Sequence, residues 1–282
     1  QHDAGHGAYS RRPWVNGLVA CVLDLIGASS YLWRWKHGIL HHTFTNVAGH
    51  DTDIESDGVA RLSPHQPRYR FHRYQHLYLW PAYALTASVW HLFRDFKDVV
   101  HGRIGDHPIP RPKGLDLAVF LVGKATSIAL LLGIPMLVHP VWVVLVFYML
   151  VTGCIGLILT VVFQLAHCVE EAEFPEPVNS PPRMESAWAI HQVETTVNFA
   201  RGNRLLSWYV GGLNFQIEHH LFPRICHIHY PALSKIVEQT CREYGVRYAV
   251  NPTFLAGVRS HYRWLRRMGR PDAEPNENPS AA

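Results

Sequence analysis

The chain has 282 residues, of which 48% are hydrophobic, and this length and composition suffice for one large domain. Its 26 Lys and Arg exceed its 22 Asp and Glu by only four. The basic residues are spread along the chain, so nucleic acid is not expected as a partner. The five cysteines are odd in number and form no CxxC pair, which argues against a disulfide framework and a structural zinc site. The 20 histidines lie in several segments, a distribution typical of a metal site assembled from distant parts of a chain.

The first histidine cluster is HDAGH at the start of the chain. His2 and His6 are four residues apart, so on a helix both imidazoles project from one face. So short a motif is explained equally well by a frayed terminus with two solvated histidines. The first residue is Gln1 and not Met, so we interpret the chain as truncated or processed at its N-terminus.

Residues 14–33 are apolar but interrupted by Asn16 and Asp24. The segment is barely long enough to cross a membrane and is not uniformly apolar. We therefore predict an interfacial helix anchored by aromatic residues such as Trp14 and Trp33. A buried helix in a soluble core is the alternative.

The second cluster is HGILHH, in which His37 and His41 again stand four residues apart. His42 adds a possible metal ligand that faces a neighbouring segment. Turn-forming residues follow and are expected to end the helix. The carboxylates Asp51, Asp53 and Glu55 in this stretch favour an exposed acidic loop. A role in orienting ligands is the alternative.

Six further histidines between residues 62 and 112 form no repeated motif, and we interpret them as interfacial or surface residues. They are His65, His72, His76, His91, His101 and His107.

Two long apolar runs, about 115–138 and 141–163, predict a transmembrane helical hairpin with a very short link. Lys124 interrupts the first run and is expected to snorkel or to pair within a bundle. Basic residues flank the hairpin on both outer sides and are missing from the link, which predicts that both flanks lie in the cytoplasm. These residues are Arg94, Lys97, Arg103, Arg111 and Lys113 before the hairpin, and Arg183, Arg201 and Arg204 after it. The second cluster and the later histidines would then face the same compartment.

The third cluster is QIEHH, with Gln216 and His219 on one helical face and His220 about 100° further round. Adjacent histidines are poor helix and core residues, so their repetition indicates binding. His167, at the cytoplasmic end of the second run, could reach a site at the interface, with a snorkelling histidine as the alternative. His191 is a weaker candidate.

Residues 234–244 predict an amphipathic helix after the third cluster, and the Pro- and Asn-rich last dozen residues predict disorder. We therefore divide the chain into a main domain, 1–250, and a partly disordered C-terminal extension, 251–282.

Eight imidazoles are too many for one tetrahedral zinc ion, so two metal ions are the natural number. Imidazole binds iron, copper and zinc alike, and so does not select the metal. A metal pair at the membrane edge, without an obvious hydrolytic nucleophile, suggests oxidation of a lipid chain. A non-enzymatic metal carrier is disfavoured, because the run 141–163 has no charged or histidine residue to line a path.

The three boxes HDAGH, HGILHH and QIEHH, with a hydrophobic hairpin between the second and third, resemble those of the membrane fatty acid desaturases. Gln216 at the head of the third box is similar to the front-end, or linoleoyl-CoA desaturase-like, branch. The resemblance runs from residue 1 to about residue 250. It implies an all-α integral membrane protein, with a transmembrane hairpin, interfacial helices and a cytoplasmic histidine-rich cap that holds two non-haem irons.

The resemblance implies dioxygen-dependent insertion of a cis double bond into a fatty acyl chain, carried on coenzyme A or on a membrane lipid. The box histidines and His167 would be ligands, and Gln216 would bind weakly or through water. The sequence contains no HPGG motif of a fused cytochrome b5 domain, so a separate ferredoxin or cytochrome b5-type protein is expected to supply electrons. A lipid hydroxylase, which uses similar boxes, is the alternative. The predicted metal ligands are His2, His6, His37, His41, His42, His167, His219 and His220, with His191 as a further candidate.

Overall fold

The computed structural model describes residues 1–176 and 186–271, which are mostly helical. The α-helices are α1 (His2–Gly5), α2 (Pro13–Ala20), α3 (Val22–Leu25), α4 (Ser30–Trp35), α5 (Gln75–Val89), α6 (Asp95–His101), α7 (Gly114–Ile128), α8 (Ile134–Val138), α9 (Val141–His167), α10 (Trp188–Glu194), α11 (Arg204–Tyr209), α12 (Gln216–Leu221), α13 (Tyr230–Glu243) and α14 (Phe254–Met268). The π-helical segments are Lys36–His41, Trp90–Arg94 and Ala129–Gly133, and the 3-10 segments are Arg70–Tyr74 and His227–His229.

Two small ladders of strands, which the sequence did not predict, accompany the helices. Strands β1 (Arg103–Ile104) and β2 (His107–Pro108) are antiparallel. Strands β3 (Asn198–Phe199) and β4 (Val250–Asn251) are parallel. Each strand has only two residues, so the prediction of a helical protein is confirmed in its main feature.

The chain forms two compact units. Unit 1 comprises Gln1–Leu40 and Trp80–Val161, and unit 2 comprises His41–Leu79 and Val162–Ala282. The predicted division at residue 250 stays a prediction. Helix α14, which lies in the predicted extension, belongs to unit 2, where Trp264 and Leu265 are buried. The last eleven residues, for which disorder was predicted, and Arg183 lie outside the described residues.

The two predicted membrane spans are long continuous helices. Residues Gly114–Val138, which include α7 and α8, form one helix of 25 residues with a mean hydropathy of 2.1, and α9 has 27 residues with a mean hydropathy of 2.5. Both are long enough to cross a bilayer. Their large apolar side chains are mostly exposed, as for Leu137 (81%) and Trp142 (70%). Helix α9 extends to His167, four residues beyond the predicted end.

The segment predicted as one interfacial helix, 14–33, is broken. Helices Pro13–Leu25 and Ser30–His41 meet at a bend of 117°, and only together are they apolar and long enough to count as a candidate third span. Gly27 lies at the bend with φ 99°, which favours glycine. A Cβ at Gly27 would lie 2.7 Å from the ring of His91, so the close packing also requires glycine.

Unit 1 contains buried polar contacts that the sequence did not predict. His91 is 2% exposed and lies 3.0 Å from both the Tyr148 hydroxyl and Ser127 Oγ, so its interpretation as a surface residue was wrong. Lys124 Nζ lies 2.8 Å from Asp95 Oδ2 and donates to the Gly27 carbonyl at 2.6 Å. Of the two roles expected for Lys124, pairing within a bundle is therefore the one found. A buried charge needs such a partner to be tolerated.

Unit 2 is built partly on contacts between α14 and the segment before α5. The indole Nε1 of Trp264 donates to the Leu62 carbonyl at 2.8 Å, and Gln75 Nε2 donates to the Leu265 carbonyl at 2.9 Å. His72 is fully buried, and its Nε2 donates to the Gly58 carbonyl at 2.9 Å. The interpretation of His72 as a surface residue was therefore also wrong. The predicted amphipathic helix 234–244 is α13, which begins at Tyr230.

Candidate metal centre

Five of the predicted histidine ligands lie in unit 2, on three separate segments. His41 ends the π-helical segment Lys36–His41 and His42 follows it. His167 is the last residue of α9, and the other two lie on the short helix α12, whose residues from Gln216 to His220 are all buried. The tertiary fold, and not the local helix geometry, therefore brings these residues together.

The first group in unit 2 consists of His41, His167 and His220. All three side chains are fully buried, and their ring centroids are 4.6 to 4.9 Å apart. One ring nitrogen from each lies within 4.8 Å of the other two. Burying three imidazoles this close together is unfavourable unless they bind a common partner.

The second group shares His220 and adds His42 and His219. The centroids of His42 and His219 are 4.7 Å apart, and the rings of His42 and His220 are stacked at 4.4 Å. Their ring nitrogens also lie within 4.8 Å of one another. Unit 2 therefore contains two overlapping triads of imidazoles with His220 in common.

Hydrogen bonds at the Nδ1 atoms orient these rings. His41 Nδ1 donates to both oxygens of Asp51, at 3.0 and 3.1 Å. His220 Nδ1 donates to Gln192 Oε1 at 2.8 Å. When Nδ1 carries the proton, Nε2 is the donor atom, and such partners fix the ring and raise its basicity as a ligand. His219 Nδ1 lies 3.3 Å from the Tyr230 hydroxyl, a weaker contact of the same kind.

Asp51 is itself fully buried and held in place by backbone donors. The amides of Asn46 and Asp53 donate to its carboxylate at 2.9 Å. The interpretation of this stretch as an exposed acidic loop was therefore wrong for Asp51, and the alternative role in orienting a histidine is the one found.

Asn46 fixes the turn that carries Asp51. It is buried with φ 60°, a left-handed conformation that asparagine tolerates. Its Nδ2 lies 2.9 to 3.1 Å from the carbonyls of His167, Glu173 and Thr195. One side chain thus joins three backbone segments of unit 2 beside the histidines, and sequence reasoning did not single it out.

Unit 1 also contains a histidine cluster, formed by His2, His6 and His37. The Nε2 atoms of His2 and His37 are 3.2 Å apart, and the three ring centroids lie 4.8 to 5.3 Å from one another. Trp33 stacks on His37 at 4.8 Å and contacts the other two rings edge-on. A Cβ at Gly5 would overlap the Trp33 ring, so glycine is required in the HDAGH box. The first two boxes therefore meet in one packed cluster.

His191 and Gln216 were also predicted to take part, and His191 belongs to none of these histidine groups. His191 lies on α10 and is 3% exposed, and its Nε2 has no hydrogen-bond partner among the described residues. Burial lowers the pKa of His191 to about 4, so its ring is neutral at pH 7. Gln216 is the first residue of α12, and its buried Oε1 likewise has no partner within the described part of the chain.

Glu218, which sequence analysis did not single out, anchors α12. It is fully buried, and it accepts hydrogen bonds from the Asn198 amide at 2.8 Å and from the Tyr248 hydroxyl at 2.7 Å. Asn198 also accepts from the Ile217 backbone amide at 3.0 Å. Burial raises the pKa of Glu218, against the effect of these donors. These hydrogen bonds thus hold in place the helix that carries His219 and His220.

The donor set of these clusters fits a transition metal. All the predicted ligands are imidazoles, which suit iron, copper, nickel and zinc, and three of them already have the Nδ1 partners typical of metal-bound histidine. The buried Nε2 of His191 and Oε1 of Gln216 are further donor atoms in unit 2. Together with the two apolar helices, these clusters define the chain as a helical membrane protein with buried histidine groups that could hold a metal ion.

Comparison with known proteins identifies the family. The fatty acid desaturase family model matches residues 1–252. An sn-1 linoleoyl-lipid 6-desaturase of Arthrospira platensis is 44% identical over 273 residues, which cover 95% of this chain and 72% of that protein. A protein of the same name from Synechocystis is 41% identical over 95% of this chain and 75% of its own length. An acyl-lipid (8-3)-desaturase of Physcomitrium patens is 37% identical over 95% of this chain and 56% of its own length.

The chain belongs to the fatty acid desaturase family. It is therefore an oxidoreductase of lipid metabolism, and the family implies an iron-dependent reaction. These similarities support the front-end branch predicted from Gln216 and do not favour the hydroxylase or the metal carrier.

Proposed function

We propose that the protein introduces a cis double bond into a linoleoyl group carried on a membrane lipid, on the carboxyl side of the existing double bonds. The observation that carries this proposal is the similarity, over 95% of the chain, to two linoleoyl-lipid 6-desaturases. The acyl-lipid desaturase from Physcomitrium supports the same class of lipid carrier. Of the two carriers expected from the sequence, we therefore propose the membrane lipid in preference to coenzyme A.

We infer that the box histidines hold two non-haem iron ions. In unit 2, the two triads that share His220 favour more than one ion, because a single ion would leave part of this buried imidazole set without a role. His2, His6 and His37 would supply the imidazoles of unit 1. His191 is a further candidate ligand, and the neutral amide of Gln216 would hydrogen-bond a water or a neighbouring ligand.

The residues of this chain would orient the ligands and keep the site dry. Asp51 and Gln192 hold the His41 and His220 rings with Nε2 as the donor atom, and Glu218 fixes the helix beneath His219. When bound, iron supplies, with dioxygen and two electrons, the oxidising power that unactivated C–H bonds require and that no side-chain base provides. Two hydrogens leave adjacent methylenes, and the dioxygen is reduced to water.

We also propose that the metal site faces the cytoplasm and that an external ferredoxin or cytochrome b5-type protein supplies the electrons. Basic residues on both outer flanks of the predicted hairpin, and none in its link at His139 and Pro140, support this orientation. An aqueous electron donor would then reach the site from the cytoplasmic side.

Expression of the full-length protein in a host that lacks this activity tests the proposal. In cells fed linoleate, we expect a product with three double bonds, the new one between carbons 6 and 7, first in the membrane lipids and later in the acyl-coenzyme A pool. Gas chromatography with mass spectrometry, after derivatisation at the double bonds, would locate the new bond in each lipid class.

Cells with the empty vector and anaerobic cultures are the controls, and neither should form the product. A hydroxylated linoleate would show the hydroxylase reaction and contradict desaturation. If the product formed in the acyl-coenzyme A pool before it formed in the membrane lipids, the proposed lipid carrier would be contradicted. The proposed desaturation would not be.

A further inference from the structure

A pocket of about 580 Å³ in unit 2 is lined mainly by cationic side chains. It lies between the 3-10 segment Arg70–Tyr74 and the C-terminal end of α14, which touch where Gly269 packs against the His72 carbonyl. We call it the arginine pocket. Its basic lining residues are Arg68, Arg70, Arg73, His76, Arg266 and Arg270. None of the proposed metal ligands lines it.

The five arginines of the arginine pocket have no counter-charge among the described residues. No carboxylate in that part of the chain forms an ion pair with any of the five arginines, and the segments 58–94 and 251–271 contain no Asp or Glu at all. Guanidinium groups stay protonated at every physiological pH. Burial and, secondarily, the charge of Arg266 lower the pKa of His76. So concentrated a positive field attracts anions.

The C-terminal end of α14 explains the position of only two of the five arginines. Arg266 and Arg270 lie at the C-terminal end of α14, where cations interact favourably with the helix dipole. The other three arginines lie in the segment before α5, where no helix C-terminus stabilises their charge. A dianionic or monoanionic phosphate is the ligand that several planar guanidinium groups recognise best.

Exposed aromatic side chains alternate with the arginines of the first segment. Tyr69, Phe71 and Tyr74 are 48%, 49% and 51% exposed, and the Tyr69 and Phe71 rings stack at 5.8 Å. Aromatic rings beside basic residues are typical of a surface at the headgroup level of a membrane. Since this chain has membrane-spanning helices, a phosphate presented by the bilayer is more accessible to the pocket than a dilute soluble one.

We propose that the arginine pocket binds the headgroup phosphate of an anionic phospholipid, with Arg70 and Arg266 among its donors. Tyr69 and Phe71 would lie at the membrane interface beside it. The pocket would recognise the headgroup and not the acyl chains of this lipid. The proposal therefore does not depend on which acyl group the enzyme desaturates. Anionic headgroups attract each nearby basic residue additively, so the five arginines together make a strong site.

Calorimetric titration of the full-length protein in an uncharged detergent tests this proposal. The probe is dihexanoyl phosphatidylglycerol, and the variant is the double substitution Arg70→Gln and Arg266→Gln. We expect the wild-type protein to bind the probe, and the variant to bind it at least about tenfold more weakly, because it loses two charge-assisted hydrogen-bond donors. Binding should also weaken with rising salt.

The matched control is the double substitution Arg204→Gln and Arg242→Gln, which removes two exposed arginines elsewhere in unit 2. It should bind the probe like the wild-type protein, and equal melting temperatures would show that all three proteins are folded. Equal weakening in both double variants would mean general charge attraction and would overturn the proposal. Equally tight binding of dihexanoyl phosphatidylcholine or of inorganic phosphate would also overturn the proposal. Unchanged binding of the probe by the pocket variant would overturn it too, and would leave an acidic protein as the partner of the arginines.

Discussion

Replacement of His220 by alanine is expected to abolish desaturation and to remove most of the bound iron. His220 belongs to both imidazole triads of unit 2, so its loss opens two groups at once. Loss of a partner that only orients a ligand typically costs 10–100-fold in activity or metal affinity, and loss of a direct ligand should cost at least about that much. Product formation from linoleate and iron per chain, measured on the same preparation, would show both effects.

His139→Ala is the control for this variant, because His139 lies exposed in the link between the two membrane helices. It should keep both activity and iron. Since His220→Ala could also unfold unit 2, its elution from a sizing column and its melting temperature must be compared with those of the wild-type protein. Near wild-type activity in a folded His220→Ala protein would contradict the assignment of His220 as a ligand.

Substitution of Asp51 by asparagine should lower activity by about 10–100-fold while the protein remains folded. Asparagine has nearly the same shape, so the packing is preserved, but it removes the negative charge that His41 Nδ1–H contacts at 3.0 Å. The His41 ring then loses basicity and fixed orientation. Steady-state product formation and iron retention during dialysis against a chelator would measure the two consequences.

Asp106→Asn is the matched control, since it makes the same change at a side chain that is 94% exposed and belongs to none of the histidine groups. The loss of this solvated carboxylate should leave activity unchanged. Equal losses in both variants would indicate a general effect of removing negative charge from the protein. Full activity in Asp51→Asn would contradict a role for Asp51 in orienting the ring.

The sequence predicted the membrane helices and the family well, because both depend on local signals. Runs such as 141–163 are uninterrupted by charge, and the three boxes combine spacing with residue type. The end of α9 at His167 was missed, because polar residues at a membrane boundary can continue a helix without changing the hydropathy pattern. Which box histidines bind metal stays a prediction.

The parts of the site that could not be predicted depend on tertiary contacts. Asp51 lies among turn-forming residues, where carboxylates are normally solvated, and only its contact with His41 explains its burial. Gln192 and Glu218 are ordinary polar residues in the sequence, and they matter because α10 and α12 place them against His220 and Asn198. His91 looked like an interfacial residue, because a sequence does not show that Tyr148 lies opposite.

The metal content of the purified full-length protein tests the central claim most directly. Eight imidazoles in overlapping groups, together with the family assignment, lead us to expect two iron atoms per chain by elemental analysis. Removal of this iron with a chelator should abolish desaturation, and reloading with ferrous iron should restore it. One zinc per chain and no iron, in a preparation that desaturates linoleate, would contradict the account.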